Sequence, residues 1–102
     1  MERNAEFLCI PANNKIYAVE FLYIKEVCTD VRISGVPCLP EHFAGVFHYR
    51  GNIVPVLNLE SAASQTSMQP RERAVVLVVE YQKYQLGIWL AREPFMVQES
   101  EL

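Results

Sequence analysis

Phe43-Ala44-Gly45-Val46-Phe47-His48-Tyr49-Arg50-Gly51-Asn52-Ile53-Val54-Pro55-Val56-Leu57 is the stretch whose reading decides the fold. Two apolar runs, Ala44 to Tyr49 and Ile53 to Leu57, flank Arg50-Gly51-Asn52. Each run is short and bounded by turn chemistry, which is the signature of a strand. The connector can reverse sharply at Gly51, the residue that adopts φ > 0 without a steric penalty. The stretch is therefore a β-hairpin. Pro55 lies in its return strand, so one side of that strand should lack ladder partners, because proline has no N–H to donate.

Outward from this hairpin the pattern repeats. Upstream, Glu6 to Ile10 and Ile16 to Val19 flank Asn13-Asn14-Lys15 and form a first hairpin, since asparagine tolerates φ > 0. Phe21, Ile24 and Cys28 are spaced i, i+3 and i+7, which predicts one or two helical turns between Glu20 and Val27. Val31 to Pro40 is extended, because Gly35, Pro37 and Pro40 deny it a helix, and Glu41 to Phe43 makes a brief turn. Downstream, Ser61 to Pro70 is a loop rich in Ser, Gln and Thr. Ala74 to Val79 is a β-branched run that fits a strand covered on both faces. Leu86 to Leu90 returns from Tyr81 to Gln85 as a third hairpin, and Phe95 to Val97 makes a last short strand after Pro94. Short strands joined as hairpins, with at most brief helices, give a mostly β fold built from small barrels.

The chain has 102 residues, enough for one domain spanning 1–102. Twelve acidic and nine scattered basic residues give a net charge of −3, which disfavours a nucleic-acid partner or an anionic membrane surface. No apolar run approaches the roughly 20 residues that span a bilayer. The beginning, MERNAEF, lacks the layout of a signal peptide, so a cytoplasmic protein is expected. Cys9, Cys28 and Cys38 are odd in number and read as buried thiols of a reducing compartment.

Chemistry-bearing constellations are few. Cys28, Cys38, His42 and His48 include one permissible ligand spacing, Cys38 to His42, but no Cys-x-x-Cys pair. The plainer reading is a packing cysteine beside a surface histidine. Pro37 and Pro40 make that region a strut rather than the turn of a thiol nucleophile. No glycine-rich phosphate loop and no nucleophile elbow is present. No enzyme, no metal and no cofactor is expected. Two charges stand out instead. Glu26 is flanked by Ile24 and Val27, and Arg50 sits at the hairpin tip. Either they are unrelated surface charges or they pair to orient one guanidinium at the rim of a groove.

The order and spacing of these segments resemble a known family. Ile16-Tyr17-Ala18-Val19, Ile24-Lys25-Glu26-Val27, Val36-Pro37, Pro40, Phe43-Ala44-Gly45-Val46 and Tyr49-Arg50-Gly51-Asn52-Ile53-Val54-Pro55-Val56-Leu57-Asn58-Leu59 are similar to the CheW-like domain of bacterial chemotaxis coupling proteins, over residues 6 to about 98. The resemblance implies paired small SH3-like β-barrels sharing a core. It implies a non-enzymatic scaffold that joins the cytoplasmic tips of chemoreceptors to the regulatory domain of the CheA kinase. It places Ile24, Glu26 and Val27 on one wall of a groove between the barrels, with Arg50 and Val54 nearby, as the receptor or kinase interface, with Glu26 and Arg50 as partners and Gly51 as a structural turn residue. Three positions depart from the family pattern. His48-Tyr49 stands where Asn-Leu is usual, Asn58 where Asp is usual, and Leu90-Ala91 where Val-Asp is usual. The C-terminal strands of the family are expected to be missing. These departures motivate a second reading, a divergent structural or self-assembling module without receptor coupling. An incomplete barrel is expected to leave one face of the Ala74–Val79 strand bare and to form a homodimer through open strand edges.

Overall fold

The computed structural model describes residues 4–60 and 71–102. Eight strands run in chain order: β1 (Glu6–Ala12), β2 (Lys15–Glu20), β3 (Ile24–Ile33), β4 (Phe43–Tyr49), β5 (Asn52–Asn58), β6 (Arg71–Tyr81), β7 (Tyr84–Trp89) and β8 (Phe95–Gln98). They form a five-stranded sheet, β3-β6-β7-β5-β4, and a three-stranded sheet, β2-β1-β8. All three expected hairpins are present. Each is joined by a two-residue loop whose first residue has φ > 0: Asn13 at 53°, Arg50 at 49° and Gln82 at 57°. Left-handed loop residues match the twist of the strands they join, so each loop fixes its register. The expected loop from Ser61 to Pro70 lies outside the described residues.

The five-stranded sheet closes on itself. Ser34 and Val46 exchange two backbone hydrogen bonds of 2.9 Å, joining the continuation of β3 to β4. Gly45 makes this approach possible. Its φ is 152°, and a Cβ there would overlap the Ser34 carbonyl. Inside the barrel lie Val31, Ile33, Phe47, Tyr49, Val54, Val56, Ala74, Val76 and Val78. Pro55 pairs with Val46 of β4, and β7 joins β5 only from Val56 onward. The proline's free side is thus confined to the first half of its strand.

A second core joins the two sheets. Leu8 and Ile10 of β1 meet Leu77, Ile88 and Leu90. β6 is therefore covered on both faces, by the barrel interior and by β1, as its composition predicted. The expected bare face is not on β6. On the far side of the three-stranded sheet, the pairings of Phe7, Cys9 and Pro11 with β2 and β8 bring Ile16, Ala18, Phe95 and Val97 onto one surface.

The predicted helical turns reduce to a 3-10 turn, Phe21–Tyr23, after which the chain is already extended at Ile24. A bulge breaks the alternation of this strand. Ile24 pairs with Val79, Glu26 with Val78 and Val27 with Leu77, so Lys25 is an extra residue in the ladder. Past the bulge Ile24 and Val27 share one face, and the three residues whose spacing suggested a helix do not share any: Phe21 is exposed, Ile24 packs on the core between the sheets and Cys28 on the barrel core. Of the three cysteines, Cys9 is buried, Cys28 is half-buried and Cys38 is exposed. Cys38 is thus not the packing residue its neighbours suggested; its φ of 66° belongs to a turn. No helix among the described residues is long and apolar enough to cross a membrane.

Candidate functional site

From the Ser34–Val46 closure, β3 and β4 diverge. The opening is a cleft of about 640 Å³ lined by Glu26, Cys28, Val31, Phe47 and Tyr49, with Arg50 at its mouth. What spans the open end is side chains rather than backbone. An Arg50 guanidinium nitrogen donates to Glu26 Oε1 at 2.8 Å. The Tyr49 hydroxyl donates to the same oxygen at 2.8 Å. The Arg50 guanidinium also lies 5.4 Å from the Tyr49 ring centroid, within range of a cation–π contact.

Local sequence produces this arrangement. Glu26 shares the face of its pairing partner Val78, which points into the barrel, so its carboxylate rises over the barrel mouth. Tyr49 ends β4 with its ring buried against Phe47, at a centroid distance of 6.0 Å, and its hydroxyl reaching the mouth. A buried tyrosine hydroxyl needs a partner, and Glu26 supplies it. Arg50 follows directly, in the left-handed region, where a non-glycine residue is disfavoured by roughly 1–2 kcal/mol. Asparagine or glycine fits such a position with less strain. Its side chain remains 67% exposed, so donors other than the one held by Glu26 face solvent.

The electrostatics follow from the geometry. The two hydrogen bonds, Arg50's first and Tyr49's second, hold the Glu26 carboxyl below its ordinary value of 4.5. The Arg50 guanidinium is held protonated, chiefly by its bond to Glu26. Deeper in the cleft, burial and then the Glu26 charge push the Cys28 thiol upward, which keeps it protonated and a poor nucleophile.

The structure brings Glu26 and Arg50 together, as the resemblance implied. It separates the other nominated residues. Ile24 packs into the core between the sheets. Val27, 48% exposed, shares Ile24's face and so points away from Glu26. Ile24, Glu26 and Val27 therefore do not form a single wall. Val54 is 1% exposed inside the barrel, where no partner reaches it; its neighbour Ile53 is 66% exposed. Tyr49 was missed. The only signal for it was a hydroxyl on an aromatic residue in an otherwise apolar strand.

Asn58, at the end of β5, is 1% exposed, and its side-chain oxygen accepts the Glu60 N–H at 2.9 Å. The amide oxygen preserves the acceptor that the family's usual aspartate offers. The departure at this position removes a charge and keeps an oxygen that accepts a hydrogen bond.

The family model for the CheW-like domain matches residues 6–92. This chain belongs to the CheW-like family. Similar proteins include the chemotaxis protein CheW of Klebsiella aerogenes, 28% identical over 83 residues that cover 81% of this chain and 50% of the relative. The chemotaxis protein CheW of Helicobacter pylori is 23% identical, covering 99% of this chain and 62% of the relative. Among solved structures, the scaffolding protein TtCheW of Thermoanaerobacter tengcongensis superposes with a TM-score of 0.67 at 20% identity, over 98% of this chain and 66% of that one. The CheW-like chain thus spans about half to two thirds of the length of these relatives. The structural likeness shows that they share the fold, mostly β with small SH3-like barrels.

Proposed function

We propose that this CheW-like chain is a non-catalytic adaptor of chemotaxis signalling, acting in the cytoplasm and coupling a chemoreceptor tip to the regulatory domain of a CheA kinase. Relatives named for chemotaxis, among them a scaffolding protein, support the reading at the level of the pathway. One observation in this chain carries it further. Arg50 occupies a disfavoured backbone conformation, is aimed by Glu26 and Tyr49, and keeps most of its guanidinium in solvent. Strain that persists at an exposed, oriented charge is what a recognition site retains and a mere turn discards. A carboxylate on a partner is the natural acceptor for its spare donors. The thiol in the cleft, Cys28, is pushed upward by burial, which makes it a poor nucleophile.

The test is a binding titration of the chain against a chemoreceptor cytoplasmic tip and, separately, against the CheA regulatory domain. The parent chain should bind both, and Arg50→Glu should weaken receptor binding by tenfold or more while the melt stays close to the parent's. A folded parent that binds neither would favour the second reading, a divergent structural module that has lost receptor coupling.

A further inference from the structure

The five-stranded sheet closes through one bridge, Ser34 to Val46. A ladder that begins there would continue two residues on, at Arg32 and His48. It stops instead: among the described residues no backbone hydrogen bond joins those two. Tyr49 and Asn52 flank a two-residue loop and pair across it, so alternation turns the N–H and C=O of Val46 and His48 away from β5. Val46 gives both groups to Ser34, whereas those of His48 open on the cleft. The two rims of the cleft differ. β4 is regular from Gly45 to Tyr49, while β3 carries register shifts on both sides of Val31. β4 is therefore the better template for a further strand.

The charges lining the cleft are uneven. Glu26 is bonded by Arg50, and Asp30 lies 3.5 Å from Arg73, so both acids already have cations. Arg32 is exposed on the same lining and has no ion-pair partner among the described residues. Arg50 keeps spare donors in solvent.

From the free edge and the spare cations we infer that the cleft takes an extended acidic peptide segment of another protein, added as a short strand beside β4. His48 supplies the main-chain bonds, as in strand addition to an exposed sheet edge. Side chains of an added strand alternate between two faces. One set enters the cleft against Val31 and Phe47. The other stays on the outer face with Arg32, whose neighbours Val31 and Ile33 point into the barrel, and there a carboxylate meets the guanidinium. The occupant thus alternates apolar and acidic residues. A basic segment would set like charge against Arg32 and Arg50. A helix has its own backbone groups paired and offers none to His48. The inference goes beyond the adaptor reading and does not rest on it, although Arg50 borders both sites.

A fluorescence anisotropy titration with a labelled, end-blocked peptide of about six residues, alternating valine and glutamate, tests this up to about 1 mM. The parent should bind it, more weakly as salt rises, and the His48 amide should gain protection from exchange in the complex. Arg32→Glu should weaken binding by about tenfold, the worth of a charge-assisted hydrogen bond. Arg32→Gln should weaken it less, and both variants should keep the parent's far-UV spectrum. Lys83→Glu, in the loop between β6 and β7, should bind like the parent. The same peptide with lysine in place of glutamate should not bind. A parent that does not bind the valine–glutamate peptide would overturn the inference. So would binding that leaves the His48 amide exchanging freely, or that Lys83→Glu weakens as much as Arg32→Glu. The adaptor reading is decided by Arg50→Glu against receptor and kinase, so either can fail while the other stands.

Discussion

At residue scale, Arg50 separates what stabilises the molecule from what equips it to bind. The left-handed backbone at Arg50 costs roughly as much as an exposed ion pair returns. Arg50→Asn removes both the strain and the pair, so the melting temperature should stay close to the parent's or rise, while receptor affinity falls. A marked loss of stability in Arg50→Asn would make the arginine structural. The same pair sets a pH response. The Glu26 carboxyl is lowered in the folded chain, so its contribution is fully present above the ordinary value of 4.5 and is lost as pH falls through the lowered one. In Arg50→Asn the Glu26 carboxyl resonance should titrate closer to 4.5 than in the parent; an unchanged midpoint would show that Arg50 is not the main cause. The sequence left the Glu26–Arg50 pairing, 24 residues apart, as one of two readings, and the family resemblance decided for it. Tyr49 escaped because a tyrosine in an apolar strand reads as core, and most of it is; only its hydroxyl belongs to the site.

At the scale of elements, hairpins were legible and interruptions in them were not. The Asn13-Asn14 and Arg50-Gly51 loops announce themselves chemically, since few residues accept φ > 0. Gly51 sits at φ 84° with open space where a Cβ would go, so any penalty at this site is purely conformational. Gly51→Val should therefore cost about 1–2 kcal/mol in urea denaturation, and Gly51→Asn a few tenths. Equal stabilities for the two would contradict the backbone argument. The bulge at Lys25 left no such mark. Its effect is to shift which faces Ile24, Glu26 and Val27 occupy, and a single misplaced residue reverses every assignment beyond it. That is why three neighbouring residues of one motif were assigned to one wall and are found on two faces.

For the whole molecule, the two units depend on one strand. β6 supplies Val76 and Val78 to the barrel interior and Leu77 to the core shared with β1. Leu77 is fully buried, and Leu77→Ala should cost about 2–5 kcal/mol. Because barrel and sheet meet at this residue, unfolding should remain a single transition, with far-UV dichroism and Trp89 fluorescence coinciding. Two separated transitions in the parent would show that the sheet unfolds independently. Composition alone made the double coverage of β6 legible, since both of its alternating faces are apolar. The surface that gathers Ile16, Ala18, Phe95 and Val97 was not legible, because it depends on β1 pairing with β8, a contact between segments about ninety residues apart that no local pattern announces.

That β1–β8 pairing bears on the order in which the molecule assembles. The three hairpins close loops of two residues, whereas joining β8 to β1 requires most of the chain to be gathered first, as the Asn4–Gln98 hydrogen bond across 94 positions shows. β8 is also the shortest strand, with four residues, and it rests on one neighbour. It should be the last strand to dock and the first to detach, by an opening far smaller than global unfolding. Native-state amide exchange should show this directly, with Phe95 to Gln98 trading their protons well before Val76 to Val78, and with the two groups reporting different opening energies.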